Sequence, residues 1–186
     1  MAPSERDEVE HQLEREIDDE DDASLRALLA LCFSEGGAER GAIFLTRRRY
    51  FDIPSERFWI RASDGSISAH AALRLRPITI DGAKRASVGG VSEVCVHPDL
   101  RGRGLVAVIL EEVHRRLRSL DIPWAILFGD PRIYARAGYR PATNELRFWD
   151  PLELAWRHER VPSLLVRPLA DAAWPNGRID LAGTLF

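Results

Sequence analysis

The stretch HPDLRGRGLVAVILEEVHRRL, residues 97–117, decides how this sequence folds. It opens with an Arg-Gly-Arg-Gly turn at 101–104, and a run with helical spacing follows directly. One face of the predicted helix is apolar: Val106, Ile109, Leu110, Val113, Leu117 and Leu120. The start of a helix has unpaired N–H groups and a partial positive charge. The turn therefore predicts a site for an anion, with phosphate favoured.

The segments on either side of this stretch predict a mixed sheet. Asp64-Gly65 separates FWIRA from ISAHAALRLRPITI, and Asp81-Gly82 separates that run from AKRASVGGVSEVCV. Asp-Gly between apolar runs is a strong hairpin signal, so three antiparallel strands precede the turn. After the helix, IPWAILFG predicts a strand parallel to the one before it. The fold class is α/β, with a mostly antiparallel sheet and a parallel strand-helix-strand unit at its centre.

The other elements are predicted from shorter patterns. QLEREI is expected to be a first strand, and DDASLRALLALCF a helix with Asp22 as its N-cap. DPRIYARAGY predicts a short helix that Gly138 ends, and NELRFW and SLLVRPL predict late strands. We expect residues 1–8 to be disordered and residues 9–186 to form a single domain.

Composition narrows the class of protein. A net charge of −3 over 186 residues argues against a general nucleic-acid binder. Cys32 and Cys95 have no histidine at ligand spacing, which argues against a metal site and fits a reducing compartment. No apolar run approaches the length of a membrane span, and the acidic N-terminus is unlike a signal peptide. We expect a soluble cytoplasmic protein.

Three interpretations of the Arg-Gly turn follow from the residues. A Walker P-loop requires Gly-Lys-Ser/Thr, which the sequence lacks. A dinucleotide fingerprint is met by Gly102, Gly104 and Ala107, but that motif usually opens a doubly wound domain, and here three antiparallel strands precede it. A solvated basic turn is the third interpretation.

Two motifs give the chain a resemblance to the GCN5-related N-acetyltransferase (GNAT) superfamily. VCVHPDLRGRGLV resembles its coenzyme A loop, [RQ]-x-x-G-x-[GA], through Arg101 and Gly104, while Val106 stands where Gly or Ala is usual. IYARAGYRP is similar to its Y-x-x-x-G-[FY] motif through Tyr134, Gly138 and Tyr139. The resemblance spans roughly residues 16–166. It implies a GNAT fold with helices on both sheet faces and acetyl-coenzyme A as the cosubstrate.

The resemblance also implies residues for binding and chemistry. The pyrophosphate would bind at the turn, which comprises Arg101, Gly102, Arg103, Gly104, Leu105 and Val106. Pantetheine and its thioester would lie along the end of the preceding strand, at Val94, Cys95 and Val96. Tyr134 would protonate the leaving thiolate. Glu93 and His70 are both candidates for the general base. Cys95 is expected to be a core residue, and His97, His114 and His158 to lie on loops or helix surfaces.

A finer resemblance concerns the acceptor. SAHAALRLRPITIDG and the end AWPNGRIDLAGTLF resemble aminoglycoside 2′-N-acetyltransferases and nodulation N-acyltransferase A proteins. It implies that the tail 168–186 lines the acceptor site, with Asp180 and the terminal carboxylate of Phe186 facing an amine. Glu35, in the Gly-rich loop after the first helix, is a further candidate. Thr184 replaces an acidic residue that the family has near the terminus.

The expected function is transfer of an acetyl or longer acyl group to a primary amine of a small molecule, with amino sugars favoured. The alternative is a non-catalytic domain that binds or senses acyl-coenzyme A. The partners implied are the amine and acyl-coenzyme A, with no metal, nucleic acid or membrane. A homodimer is left open.

Overall fold

Strands and helices follow one another in the mixed α/β order that the sequence predicts. The computed structural model describes residues 8–34, 37 and 41–186. The strands are β1 (Val9–Leu13), β2 (Glu56–Arg61), β3 (Ile67–Ile80), β4 (Lys84–Val96), β5 (Trp124–Phe128), β6 (Arg140–Pro141), β7 (Glu145–Asp150), β8 (Ala155–Arg160), β9 (Leu164–Pro168) and β10 (Ile179–Asp180). The helices of the described residues include α1 (Asp19–Ser34), α2 (Leu105–Ser119) and α3 (Pro131–Tyr134).

The chain divides into two compact units, and the first contains the chain up to Leu73 together with Glu93–Val113. In this unit β1 pairs antiparallel with β2, and β2 with the first half of β3, where Trp59 lies opposite His70. Its apolar core is formed by Leu25, Leu28, Leu29, Phe44, Trp59, Ile67 and Cys95. Because α1 contributes three leucines at helical spacing, one helix face and one sheet face share this core.

Two boundaries in the first unit differ from the sequence-based prediction. The first strand is Val9–Leu13, and the predicted strand residues after it form a 3₁₀ turn at Glu14–Glu16. Helix α1 begins at Asp19, because Asp18 Oδ1 accepts the N–H groups of Glu20 at 3.0 Å and Asp21 at 2.9 Å. Asp22 is therefore inside the helix, and its carboxylate accepts from Arg26 instead.

The second unit contains Arg74–Ser92 and His114–Phe186. Its strands lie in the order β6-β9-β5-β4-β3-β10-β7-β8. β5 is parallel to β4, with Gly89 opposite Ala125, as predicted. β10 is parallel to β7 and antiparallel to β3. Its core consists of Ile78, Ile80, Val88, Trp124, Ile126, Leu146, Phe148, Leu164, Val166, Ile179 and Leu181.

The strand-helix-strand connection from β4 through α2 to β5 is confirmed. Ile109, Leu110, Val113 and Leu117 are fully buried on the predicted helix face, and Leu120 lies just beyond the helix end. Leu117 packs closely on Gly89, where an added Cβ would lie 2.4 Å from Leu117 Cδ2. A residue with a side chain at position 89 would push the helix away from the sheet.

Both predicted Asp-Gly hairpins are present, with Gly65 at φ 86° and Gly82 at φ 73°. Strands β8 and β10 were not predicted from the sequence. β8 is rich in charged residues, and β10 has only two residues, so neither carries an alternating apolar pattern. Within the described ranges, no helix combines the length and the apolarity needed to cross a membrane.

Candidate active site

The Arg-Gly turn lies between the end of β4 and the start of α2. A 3₁₀ turn at Pro98–Leu100 precedes it. Gly102 has φ 77° and Gly104 has φ 84°, left-handed values that strain any residue with a Cβ. An added Cβ at either glycine would meet no atom within 4 Å, so the turn is open on that side. The Arg101 Nε–H donates to the main-chain oxygen of Val96 at 3.4 Å.

The N–H groups from Gly102 to Val106 donate to no acceptor among the residues that the structure describes. The first helical bonds after the turn are those of Ala107 and Val108, and both reach the Gly104 oxygen. These open N–H groups stand at the positive end of α2, beside two arginines. Such an arrangement suits the pyrophosphate of coenzyme A.

The end of β4 carries the three residues expected beside a thioester. Val94 is half-buried, and Cys95 and Val96 are buried. The Cys32 thiol of α1 donates to the Val96 oxygen at 3.4 Å. The hydrogen bond with Cys32 and burial together hold the pKa of the Cys95 thiol well above its usual range. Cys95 is therefore a protonated thiol in the apolar core of the first unit, as expected of a core cysteine.

Glu93 lies within β4 and has a left-handed backbone, φ 52°. Its side chain is only 2% exposed. One carboxylate oxygen accepts Arg57 Nη1 at 3.0 Å, and the other accepts the main-chain N–H of Tyr50 at 3.3 Å. Because a left-handed conformation is rare for a residue with a side chain, these contacts hold an uncommon backbone in place.

His70, on β3, is fully buried beside the same group. Its Nε2 lies 3.1 Å from Arg57 Nη1, and its Nδ1 lies 2.9 Å from the main-chain oxygen of Glu93. A guanidinium can only donate, so Nε2 accepts and the imidazole proton is on Nδ1, where it donates to Glu93. The basic nitrogen of His70 is thus already engaged with a cation.

Arg57 and Glu14 belong to this group and were missed by the sequence analysis. The Arg57 side chain is 0% exposed and also donates to Glu14 Oε2 at 2.5 Å and to the Arg48 oxygen at 2.5 Å. Arg48 forms a further ion pair with Glu14 at 2.9 Å. The sequence did contain a signal for this network. Arg57 begins the short apolar run RFWIRA, and a charged residue that such a strand buries needs a buried partner.

Tyr134, in the second unit, ends helix α3. Asp130 caps this helix by accepting the Arg132 N–H at 2.9 Å, and the following 3₁₀ turn ends at Gly138, φ 84°, as predicted. The Tyr134 side chain is half-buried. Its ring meets that of Tyr139 edge to face, with the ring centroids 6.1 Å apart.

The prediction that His114 lies on a helix surface is wrong. His114 is 0% exposed, and its Nε2 lies 2.9 Å from the Tyr139 hydroxyl. Burial, followed by the charges of Arg167 and Arg118, lowers the pKa of His114 to about 3. The apolar periodicity of α2 therefore did not reveal this buried polar position.

Three residues were predicted to bind the acceptor amine: Glu35, Asp180 and Phe186. Glu35 is outside the described residues. Asp180 accepts from Arg147 Nη1 at 2.8 Å and from the Ala182 N–H at 2.8 Å. Phe186 packs on Gly90, and the guanidinium of Arg76 lies 4.4 Å from its ring centroid. The tail thus docks through β10 and its terminal ring.

The part of the chain that the structure describes holds no cluster of three or more metal-ligating side chains.

The turn with open N–H groups at the start of α2 thus follows a strand whose backbone is left-handed at Glu93. Residues 14–142 match the model of the acetyltransferase (GNAT) domain. The match covers more than half of the chain, and the chain belongs to the GNAT family.

Relatives and solved structures agree with this family. The N-acetyltransferase Eis of Mycobacterium tuberculosis (strain ATCC 25177 / H37Ra) is 39% identical over 68 residues, which are 36% of this chain and 17% of that protein. The chain thus matches only a small part of this curated relative. The GNAT family N-acetyltransferase YhbS from Escherichia coli, in complex with CoA, superposes with a TM-score of 0.67 at 19% identity, covering 97% of this chain and 92% of that one. A GNAT family acetyltransferase from Brucella melitensis, in complex with acetyl-CoA, has a TM-score of 0.61 at 18% identity, covering 92% and 94%. At these identities the two structures show the same fold.

Proposed function

We propose that this protein transfers the acetyl group of acetyl-coenzyme A to a primary amine of a small molecule, with an amino sugar as the favoured acceptor. The observation that carries the proposal is the turn before α2, where the N–H groups from Gly102 to Val106 donate to no acceptor among the described residues. A pyrophosphate there would accept from the turn and from Arg101 and Arg103. The solved relatives named with CoA or acetyl-CoA support this cosubstrate.

The reaction consumes a neutral amine and a thioester. The amine nitrogen attacks the thioester carbonyl, the carbon–sulfur bond breaks, and the products are an amide and the thiol of coenzyme A. One proton leaves the nitrogen and one reaches the sulfur, so the atoms and charges balance. An alkylamine with a pKa near 10 costs roughly 4 kcal/mol to deprotonate at pH 7, so a base assists the attack.

Glu93 is the better of the two candidate bases. His70 already accepts from Arg57 through its basic nitrogen, which disfavours it as a proton acceptor. Glu93 accepts with both carboxylate oxygens, from Arg57 Nη1 and from the Tyr50 N–H, and an ionised carboxylate oxygen can accept more than one hydrogen bond. Main-chain N–H groups near Val94 to Val96 are the proposed donors to the developing oxyanion.

Tyr134 is the proposed acid for the departing thiolate. A phenol with a pKa of about 10 can donate to a thiolate whose acid has a pKa near 8.5 where water is excluded. Its place at the end of α3, next to a left-handed glycine, supports a fixed orientation. The role rests on the match of Tyr134, Gly138 and Tyr139 to the family motif.

The acceptor proposal concerns Glu35, Asp180 and the terminal carboxylate of Phe186. Carboxylates at an acceptor site would attract the ammonium form of the amine before it is deprotonated. Asp180 is already paired with Arg147, so it offers less net charge to a cation than the sequence suggests.

A cytoplasmic location is supported by Cys32 and Cys95, which are both present as thiols.

The test is consumption of acetyl-coenzyme A thioester in the presence of glucosamine, kanamycin, spermidine or a lysine ester. We expect turnover with at least one amine, and Tyr134→Phe should lower kcat about 10²-fold with the affinity for coenzyme A unchanged, since it removes a group that acts in the transition state. Ile133→Ala, at an exposed neighbouring position, is the control and should keep full activity. Tight binding of acetyl-coenzyme A without turnover on any amine would indicate the alternative, a sensing domain.

A further inference from the structure

A chain of polar side chains lies behind Tyr134, and the proposed reaction does not use it. It runs from Arg167 on β9 through His114 on α2 to Tyr139. Arg167 Nη1 is hydrogen-bonded to His114 Nδ1, and His114 Nε2 lies 2.9 Å from Tyr139 Oη. His114 and Tyr139 are 0% and 1% exposed. Burying polar groups to this extent costs free energy of desolvation, which the hydrogen bonds between them offset.

The direction of the hydrogen bonds follows from the donors. The guanidinium of Arg167 can only donate, so His114 Nδ1 accepts and the imidazole proton is on Nε2. That proton is donated to Tyr139 Oη. Burial raises the pKa of Tyr139 above its usual range, and the lowered pKa of His114 keeps it neutral at pH 7. Both side chains are therefore neutral near pH 7, and the contact between them is a hydrogen bond between uncharged groups.

The same arginine fixes the turn that carries the motif. Arg167 Nη1 also donates to the Ala137 oxygen at 2.8 Å. Directly after Ala137, Gly138 has a left-handed backbone, and an added Cβ there would lie 3.2 Å from Arg167 Nε. The Tyr139 N–H donates back to the Tyr134 oxygen at 3.3 Å. The turn is thus held to β9 by its main chain and to α2 by the Tyr139 hydroxyl.

The ring of Tyr134 is contacted from two directions. Tyr139 meets it edge to face at 6.1 Å, with the rings inclined at 70°. Gly129 also lies against it, because an added Cβ there would be 2.6 Å from Tyr134 Cε2. A ring held between another ring and a glycine main chain has little freedom to turn, so the orientation of its hydroxyl follows the position of Tyr139.

We propose that Arg167, His114 and Tyr139 are positioning residues that orient the phenol of Tyr134. The inference rests on the proposed role of Tyr134 as the acid. Proton transfer to the thiolate depends on hydrogen-bond distance, so a small rotation of Tyr134 slows it without changing how coenzyme A binds.

The test is a double-mutant cycle with Tyr139→Phe and Tyr134→Phe, measured on thioester consumption with the best amine of the panel. Tyr139→Phe deletes only the hydroxyl that His114 contacts. We expect kcat to fall five- to tenfold, with the KM for acetyl-coenzyme A within twofold of the unmodified protein. In the Tyr134→Phe background the same substitution should have no further effect on kcat, because Tyr139 acts through Tyr134.

Trp124→Phe is the matched control, since it removes another hydrogen bond of the second unit, from Nε1 to the Ala172 oxygen. It should lower Tm with kcat unchanged. If Tyr139→Phe lowers kcat equally in both backgrounds, the positioning role is overturned and the role of Tyr134 stands. If Tyr134→Phe itself leaves kcat unchanged, the role of Tyr134 as acid is wrong and the positioning role falls with it.

A second measurement does not depend on turnover. The chain has three tyrosines, so ¹³C-labelled tyrosine gives three sets of ring resonances, assignable with single Tyr→Phe variants. His114→Asn should shift or broaden the Tyr134 ring resonances and leave those of Tyr50 in place. Tyr134 resonances that are unaffected in a folded His114→Asn protein would overturn the proposal.

Discussion

Each unit of the molecule places an arginine against a buried histidine, but the partners beyond the histidine differ. In the first unit, Arg57 contacts His70 and also the carboxylates of Glu14 and Glu93. In the second unit, the described contacts of Arg167 run through His114 to a phenol and to a main-chain oxygen. Both histidines accept from a guanidinium with one nitrogen and donate with the other.

The two networks differ in what their buried polar groups do: one compensates charge, and the other holds a turn in place. Around Arg57, opposite charges compensate each other out of water, so removing one charge leaves another without compensation. Around Arg167, the uncharged side chains of His114 and Tyr139 connect β9 to the turn that contains Gly138. We therefore expect changes in the first network to affect folding most strongly, and changes in the second to appear in pH dependence and in kcat.

The largest effect is expected for Arg57→Met, which removes the buried guanidinium that Glu14 and Glu93 share, while Glu14 keeps its ion pair with Arg48. The free energy of unfolding should fall by about 3–5 kcal/mol, measured by urea denaturation. The matched control is Arg61→Met in the same strand, because Arg61 is ion-paired with Glu10 and Asp21 but 29% exposed. Arg61→Met should cost about 1 kcal/mol or less. Equal losses for the two variants would contradict the distinction between buried and solvated charge.

The second effect is a dependence of stability on pH that comes from His114. Its pKa is about 3 in the folded protein and 6.5 in the unfolded chain, so the unfolded chain binds the proton first. The stability contribution of neutral His114 is complete above pH 6.5 and is lost as pH falls toward 3. The free energy of unfolding should therefore fall in this window by about 1.4 kcal/mol per pH unit more in the unmodified protein than in His114→Asn.

The control for this measurement is His158→Asn, at an exposed position on β8. It should retain the pH slope of the unmodified protein. Identical slopes for the unmodified protein and His114→Asn between pH 6.5 and 4.5 would show that His114 is accessible to protons in the folded state.

The third effect concerns the Arg-Gly turn. Arg101→Glu combined with Arg103→Glu should weaken binding of acetyl-coenzyme A at least tenfold, which calorimetry measures directly. Both residues are exposed, so the unfolding midpoint in urea should change little. Arg15→Glu, another exposed arginine, controls for the added negative charge. Affinity that survives the double substitution would place the pyrophosphate elsewhere.

The smallest effect is expected at the chain end. Deleting Gly183–Phe186 removes the ring that packs on Gly90 and beneath Arg76. If the tail lines the acceptor site, the KM for the amine should rise about fivefold while the KM for acetyl-coenzyme A stays within twofold. Phe186→Ala retains the carboxylate and separates its charge from the packing of the ring. Equal changes in both KM values would argue against an acceptor role for the tail.

Much of the fold was predictable from local sequence signals. Asp64-Gly65 and Asp81-Gly82 marked the hairpins, because only a few residue types adopt the left-handed turn conformation. The Arg-Gly turn at 101–104 and the apolar face after it predicted the start of α2, and the pattern of DPRIYARAGY predicted the short helix before Gly138. These features depend on residues within a few positions of each other, so the sequence alone determines them.

Tertiary structure decided which side chains meet. Arg57 bridges Glu14 and Glu93, which are 43 and 36 residues away, and Arg167 reaches His114 across 53 residues. It also gave β10 its place between β3 and β7. A buried charge or imidazole is stable only beside a complementary group, and that group is supplied by strand pairing and helix packing. Periodicity records which face of an element is apolar, but it does not record what the opposite element presents to that face.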